Sequence, residues 1–442
     1  MDAASKTLVE ELRGFLTVAR EASDARAALR PHVRAFGRNA SRPLSLLAFG
    51  KASLEMMDEA VQILGERVVR GIATVVPERL AALAREREEA IRACGVRLLP
   101  ADHPLPTKRN VAAAGEVRDF VSSLAPADSL LVLVSGGGSA HLTLPARGLT
   151  LDNLRDATRA LQRAGRTINE LNCVRKHCEQ LKGGRLAALS RAGEARVLVL
   201  SDVLGDPLDV ISSGPFAPDS TTFAEALEVV EKSIGGDAAP EIAAHLRRGT
   251  RGEIAETPKQ GDPAFAGVTT SVIANNASVV DALLAHAESR GIKVVEIWKS
   301  IDGEASAIAA RIGAAVRSMP HDKQRRAIIV GGEWTVKVTE SSGIGGPSQE
   351  LALALAMQLR GLPAAALCFS TDGVDGPTDG AGAIVDGRTI DAADAAGLDG
   401  AAALAAHDSY GFFERLSGAN HLKTGPTGTN LNHVVVVLID SR

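Results

Sequence analysis

Between residues 45 and 201, short runs of leucine and β-branched residues alternate with longer segments of helical pattern. That alternation limits what the chain can fold into more than any other feature. SLLAFG (45–50) reads as a strand and KASLEMMDEAVQILGE (51–66) as the helix after it. GIATVV (71–76) is a strand, NVAAAGEVRDFVSSL (110–124) a helix, and LLVLV (130–134) and ARVLVLS (195–201) are strands. This rhythm predicts an α/β architecture with a parallel sheet and helices on both faces. A polar stretch rich in Gly and Pro over 232–265 reads as a connection to a second α/β region. Its strands are expected in TSVIANN (270–276), KVVEIW (293–298), AIIVGGEWTVKVTE (327–340), AAALCFST (364–371) and HVVVVLI (433–439). The expectation is two lobes, each a largely parallel or mixed sheet with flanking helices. They comprise 1–240 and 266–442, joined by 241–265. DAADAAGLDGAAALAAH (391–407) reads as helix interrupted by glycine.

Length agrees with two domains, since single cores stop growing well below 442 residues. Hydrophobic residues make up 45% and aromatics only 3%, so the cores must be aliphatic. The formal net charge is -4 and the basic residues are spread along the chain. That balance gives no footprint for nucleic acid or for an anionic membrane surface. Cys94, Cys173, Cys178 and Cys368 form no CxxC pair and read as reduced thiols. MDAASKTLVEELRG lacks the apolar core of a secretory signal, and no apolar run approaches the roughly 20 residues of a membrane helix. The expectation is a soluble cytoplasmic protein.

In open α/β sheets, ligands sit at the carboxyl ends of strands. SGGGSA (135–140) lies at such an end. Glycines let backbone N–H groups converge on an anion, and a following helix adds its N-terminal dipole. Gly136, Gly137, Gly138 and Ser139 are therefore candidate phosphate donors, and a plain strand–helix turn is the alternative. Neither GxxxxGK[ST] nor GxGxxG is present. Lys51 in FGKAS lies at a helix start, where a cation opposes the dipole unless an anion shares the site. NCVRKHCEQLKGGRLAALS (172–190) gathers Arg175, Lys176 and Lys182, either an anion-binding face or a solvated one. Lys182, seven residues past Arg175, would share that face of a helix. Asp202 and Asp206 follow a strand in LSDVLGDPLDVISSGPFAPDSTT (200–222). They are candidates for proton transfer or Mg²⁺, or else caps and turns. GGEWTV (331–336), STDGVDGPTDGAGAIVDG (370–387) and TGPTGTNLNH (424–433) read as three further strand-end loops, carrying Glu333, Asp372 and Asn430. Together they suit a long ligand such as a nucleotide.

SGGGSA, INELNCVRKHCEQLKGGRLA, LSDVLGDPLDVISSGPFAPDSTT, GGEWTV, GGPSQELALALA, TDGVDGPTDGAGAIVD and LKTGPTGTN stand in the order seen in class II glycerate kinases. The chain resembles that glycerate 2-kinase family from about residue 8 to 440. The last of these motifs is part of the family's MOFRL domain, here about 327–440. The resemblance implies a first lobe of Rossmann type and a ligand cleft between two lobes. It also implies ATP and Mg²⁺, with transfer of the γ-phosphoryl group to the 2-hydroxyl of D-glycerate. Lys51 matches the family's catalytic lysine, and Asp202 a motif aspartate suited to base or orienting work, with Asp206 assisting. Arg175, Lys176 and Lys182 would hold the substrate carboxylate or phosphates. The loops of Glu333, Asp372 and Asn430 would close on the nucleotide. The metal ligands are not assigned. Two departures stand out. Pro347 and Ser348 occupy GGPSQE where the family commonly has GGRNQE, and His433 ends TNLNH where an acid is usual. A nicotinamide-dependent hydroxypyruvate reductase, a label some members bear, stays open as an alternative. So does a non-catalytic protein that binds a sugar acid or nucleotide.

Overall fold

The computed structural model describes residues 3–39, 42–319, 324–337, 343–416 and 420–440; the end of the predicted strand 327–340 lies outside them. The described chain forms two compact units. One comprises residues 29–273, and the other residues 1–28 with 274–442.

The unit of residues 29–273 is built on strands β1 (Leu44–Phe49), β2 (Val68–Val75), β3 (Val96–Pro100), β4 (Ser129–Val134), β5 (Glu194–Leu200) and β6 (Val268–Ala274). They lie side by side in the order β3-β2-β1-β4-β5-β6. β1 runs parallel to β2 and β4, in register from Leu44↔Ser129 to Phe49↔Val134. Every residue of β1 and β4 is buried. Such strands read as continuous apolar runs because helices cover both faces of the sheet. The helices Ser53–Leu64 and Lys108–Ser122 fall where the periodicity placed them. Thr107 caps the second, its side chain accepting from the Arg109 amide at 3.1 Å. The core is aliphatic, with Leu47, Leu130, Val132 and Val197 around Phe49.

The other unit carries β7 (Lys293–Glu304), β8 (Arg326–Thr335), β9 (Ala364–Ser370), β10 (Gly382–Asp386), β11 (His421–Leu422) and β12 (His433–Ile439). Their order is β11-β10-β9-β12-β8-β7. β12 lies between β8 and β9, antiparallel to both, while β7 runs parallel to β8. This sheet is mixed, as expected. The helix Pro347–Leu359 is buried almost all round and packs against β9, β10 and the helix Ala305–Ser318. The predicted helix over 391–407 forms as Thr389–Ala395 and Gly400–Ala405. No helix among the described residues is long and apolar enough to cross a membrane.

The units part elsewhere than the sequence pattern indicated. The helix Ala3–Ala22 buries Leu8, Leu12, Phe15 and Ala19 on one stripe and packs against the helix Asn276–Ser289 and β9. It thus belongs with the C-terminal strands. Residues 241–265 are no free connection, because the helix Pro240–Thr250 buries Ile242, Ala243 and Leu246 against the helix Phe223–Ile234. TSVIANN supplies β6, an edge of the first sheet, instead of opening the second.

Candidate active site at the switch point of the parallel sheet

β1 and β4 are neighbours, but the chain leaves them in opposite directions across the sheet: β1 is also flanked by β2, and β4 by β5. Connections from two such strands diverge to opposite faces and open a crevice at their carboxyl ends. FGKAS leaves β1 there and SGGGSA leaves β4. Backbone bonds tie the two loops together. The Ser135 amide donates to the Phe49 carbonyl at 3.2 Å and the Lys51 amide to the Gly136 carbonyl at 2.8 Å. Ser135 Oγ accepts from the Ala52 amide at 3.0 Å. Gly50, at φ +104°, passes so close to the Ser135 carbonyl that a side chain would collide with it. His141 Nδ1, fully buried, accepts from the Gly50 amide at 3.2 Å. Burial, with His103 second, takes that imidazole down to about 4, so it stays neutral and able to accept.

Each glycine of the triplet faces a different functional group. A Cβ on Gly136 would strike the Asp202 carboxylate, and one on Gly138 the Ser212 hydroxyl. A Cβ on Gly137 would lie 2.8 Å from the His103 ring and 3.1 Å from Lys51 Cγ. Lys51, Asp202, His103 and Ser212 therefore converge on one backbone loop. Burial pushes the Asp202 carboxyl up, and Lys51 pulls it back in part. Burial and then Lys51 push His103 down to about 4. Ser139 Oγ lies 2.8 Å from Ser213 Oγ. The helix after the loop is a single turn, Gly138–His141, too short to add the dipole expected of it. Gly136→Ala should displace the Asp202 carboxylate. A misplacement of about 1 Å at a reacting centre costs on the order of 100-fold. We expect a turnover loss of that size with unchanged circular dichroism.

The three candidate cations Arg175, Lys176 and Lys182 have separate fates. The helix Ile168–Cys178 ends before Lys182, because Glu179 turns to extended backbone at φ -131° and Gly183 and Gly184 take positive φ. Lys182 is therefore not on Arg175's helix face. It is fully buried, with Nζ 2.6 Å from Glu179 Oε2 and 2.8 Å from the Ser139 carbonyl. Lys176 is also buried, bonded to Asp209 at 3.0 Å and Asp219 at 3.2 Å. Both lysines already have carboxylate partners. Arg175 is different. Its half-buried guanidinium lines a cavity of about 500 Å³ beside Gly137 and Ser139. Of the two loop aspartates, it is Asp202 that packs on Gly136. Asp206 sits four residues on at φ +54°, its amide bonded to the Val203 carbonyl at 3.1 Å.

In the other unit, GGEWT is not a loop but the end of β8, where Glu333 is exposed and Trp334 buried. A side chain on Gly332 would collide with the Ile301 carbonyl on β7, which accounts for the glycine. Asp372 accepts from Ser370 Oγ at 2.8 Å, and Asn430 Oδ1 from the Asn432 amide at 2.9 Å. Asp375, buried, caps the helix Pro347–Leu359 by accepting from the Ser348 and Gln349 amides at 3.0 and 2.8 Å. Burial outweighs those bonds and raises its carboxyl to about 6. His103, Glu179 and Ser212 escaped the sequence reading. His103 had a usable signal, since DHPLP follows β3 at the same edge of the sheet.

Comparison with known proteins bears on the whole chain. The model of a domain of unknown function, DUF4147, matches residues 9–247, and that of the MOFRL family matches 326–433. Glycerate 2-kinase of Pyrococcus horikoshii is 36% identical over 403 residues, 90% of this chain and 87% of that one. D-glycerate 2-kinase of Thermotoga maritima is 37% identical over 399 residues, covering 89% and 90%. The chain belongs to the glycerate 2-kinase family. The crystal structure of a Thermotoga maritima glycerate kinase superposes with a TM-score of 0.87 at 34% identity, over 98% of this chain and 100% of that one.

Within the glycerate 2-kinase family pattern, the departures of this chain are neighbours in space. Ser348 Oγ lies 2.9 Å from His433 Nδ1. The His433 ring stacks on Trp334 with centroids 5.0 Å apart, and burial lowers it to about 4. Pro347, in the arginine's place, opens the helix at its first position, where a missing N–H costs nothing.

Proposed function

We propose that the protein transfers the γ-phosphoryl group of ATP to the 2-hydroxyl of D-glycerate, giving 2-phosphoglycerate and ADP. The observation that carries this reading is the convergence of Lys51 and Asp202 on the glycine loop of the switch point. Phosphoryl transfer asks for positioning and charge neutralisation, because its transition state is loose and anionic. Gly136–Ser139 present backbone N–H groups to phosphate, and the Lys51 ammonium neutralises the transferring group. The acceptor oxygen bonds to phosphorus as its proton passes to the Asp202 carboxylate, and ADP departs with the electrons of the broken P–O bond. Arg175 offers a cation to an anionic group of a substrate.

Among the described residues no three His, Cys, Asp or Glu side chains form a metal cluster. That fits Mg²⁺, which relies on one or two carboxylates and on substrate phosphates and waters. Asp206, on the same loop as the Asp202 base, would hold the ion, which would supply neutralisation of phosphate charge. The unpaired cysteines fit a reducing compartment, and we place the protein in the cytoplasm.

A coupled assay tests the reading, with ATP, Mg²⁺ and D-glycerate followed through enolase but without phosphoglycerate mutase. Enolase consumes 2-phosphoglycerate and not its 3-isomer, so signal is the expected result. ADP release without enolase signal would move transfer to another hydroxyl. Oxidation of NADH by hydroxypyruvate would favour the reductase instead.

A further inference from the structure

The cavity beside Gly137 and Ser139 is larger and more cationic than a three-carbon acid requires. At about 500 Å³ it falls within the roughly 300–1,000 Å³ of sites for drug-sized ligands. One wall is a face of the helix Leu151–Arg163, where Leu154, Arg155, Thr158, Arg159 and Gln162 all line the cavity. Arg155 and Arg159 stand at i and i+4, a like-charged spacing that destabilises a helix unless an anion lies between. Among the described residues their ion pairs are local, to Asp152 at 3.7 Å and Asp156 at 3.1 Å. Both acids are well exposed, and such pairs are weak enough to leave the guanidinium groups free to turn. Arg175 adds a third cation to the lining, while Glu179, the acid among the lining residues, is engaged by Lys182.

Pro104, Leu105 and Pro106 also line the cavity. Leu105 is 69% exposed, and it stands between two rings whose backbone is fixed. Leu154 adds further apolar surface to the lining. The lining thus combines cations on one helix with apolar side chains, and it includes Gly137 and Ser139 of the glycine loop. A three-carbon acid offers one carboxylate and no flat apolar face. A nucleoside triphosphate offers both a chain of negative charges and a ring.

We propose that this cavity holds the phosphoryl donor, a nucleoside triphosphate. Its base lies against the Pro104–Pro106 plate and Leu154, and its phosphate chain passes Arg155 and Arg159 to reach Ser139 and Gly137. The proposal rests on the kinase reading above and adds the donor's seat. It makes Arg155, Arg159 and Leu105 determinants of nucleotide affinity.

The test uses the full chain and three variants: Arg155→Gln, Arg159→Gln and Leu105→Asp. ADP affinity is measured by calorimetry, and KM for ATP and for glycerate by ADP release. Each arginine variant should weaken ADP binding and raise KM for ATP about tenfold, the scale of one lost charged hydrogen bond. KM for glycerate should rise less. Leu105→Asp, at an exposed position, should weaken ADP binding without disturbing folding. A rise in KM for glycerate with KM for ATP unmoved would overturn the proposal and assign the cavity to the acceptor. Unchanged ADP affinity in all three variants would overturn it too. If the wild-type chain bound ADP but did not phosphorylate glycerate, the acceptor reading alone would fall, and the calorimetry would still decide the donor's seat. A wild-type chain that did not bind ADP would sink both.

Discussion

Lys51→Ala should lower turnover by about three orders of magnitude while leaving the fold intact. Removing one pre-organised group that stabilises developing charge costs on the order of 10²–10³ in turnover, and cationic fingers in phosphoryl transfer reach 10³–10⁵. The backbone of Lys51 will stay in place, because its amide bond to the Gly136 carbonyl does not involve the side chain. The ammonium has a second task. It opposes the burial that raises the Asp202 carboxyl, so its loss should let that carboxyl climb further. Asp202 must be ionised to accept a proton. The acid limb of kcat/KM should therefore move to higher pH in the variant, as far as residual activity allows it to be followed. A stopped assay with labelled ATP between pH 5 and 9 would show both effects. Near-normal turnover would remove Lys51 from the mechanism.

The second large effect is on stability. Lys182→Ala should destabilise the unit of residues 29–273 by about 3–5 kcal/mol, the cost of breaking a buried ion pair from one side. Glu179 is itself buried and would lose the cation bonded to it, keeping among the described residues a hydrogen bond from the Leu144 amide at 3.3 Å. Urea denaturation should show a lower midpoint with an unchanged slope. Replacing both partners with apolar residues of similar size, Lys182→Met with Glu179→Leu, should recover most of the loss, since such exchanges are often neutral or better. A single Lys182→Ala variant as stable as the wild type would mean the pair contributes nothing. Because Lys182 also holds the Ser139 carbonyl, the double variant is expected to fold well and work poorly.

These lysines show how far the sequence could be read. Residue types at strand ends were legible: FGKAS, SGGGSA and LSDV are local patterns, and the parallel sheet brings them to one edge because βα units all run the same way. Lys182 was misplaced because a helical projection assumes the helix continues, and the extended turn at Glu179 is set by a tertiary partner, the bridge to Pro145. GGEWT looked like a turn because paired glycines mark turns; here they let β7 and a neighbouring asparagine approach the strand closely. The chemistry of His103 was invisible for another reason. Its low proton affinity comes from burial and from Lys51, more than fifty positions away in the chain, and no local window contains both.

The interleaving of the two units bears on how the protein is made. Residues 29–273 are contiguous and carry a complete sheet, so they can fold as soon as they leave the ribosome. The other unit cannot. Its strand β12 follows both β8 and β9 in the chain, and without it those two have no neighbour between them. The helix Ala3–Ala22 packs against β9, which appears only after more than three hundred further residues. Until then its apolar stripe of Leu8, Leu12 and Phe15 has no native surface to cover it. During that interval the nascent chain should carry one finished unit and one exposed amphipathic helix.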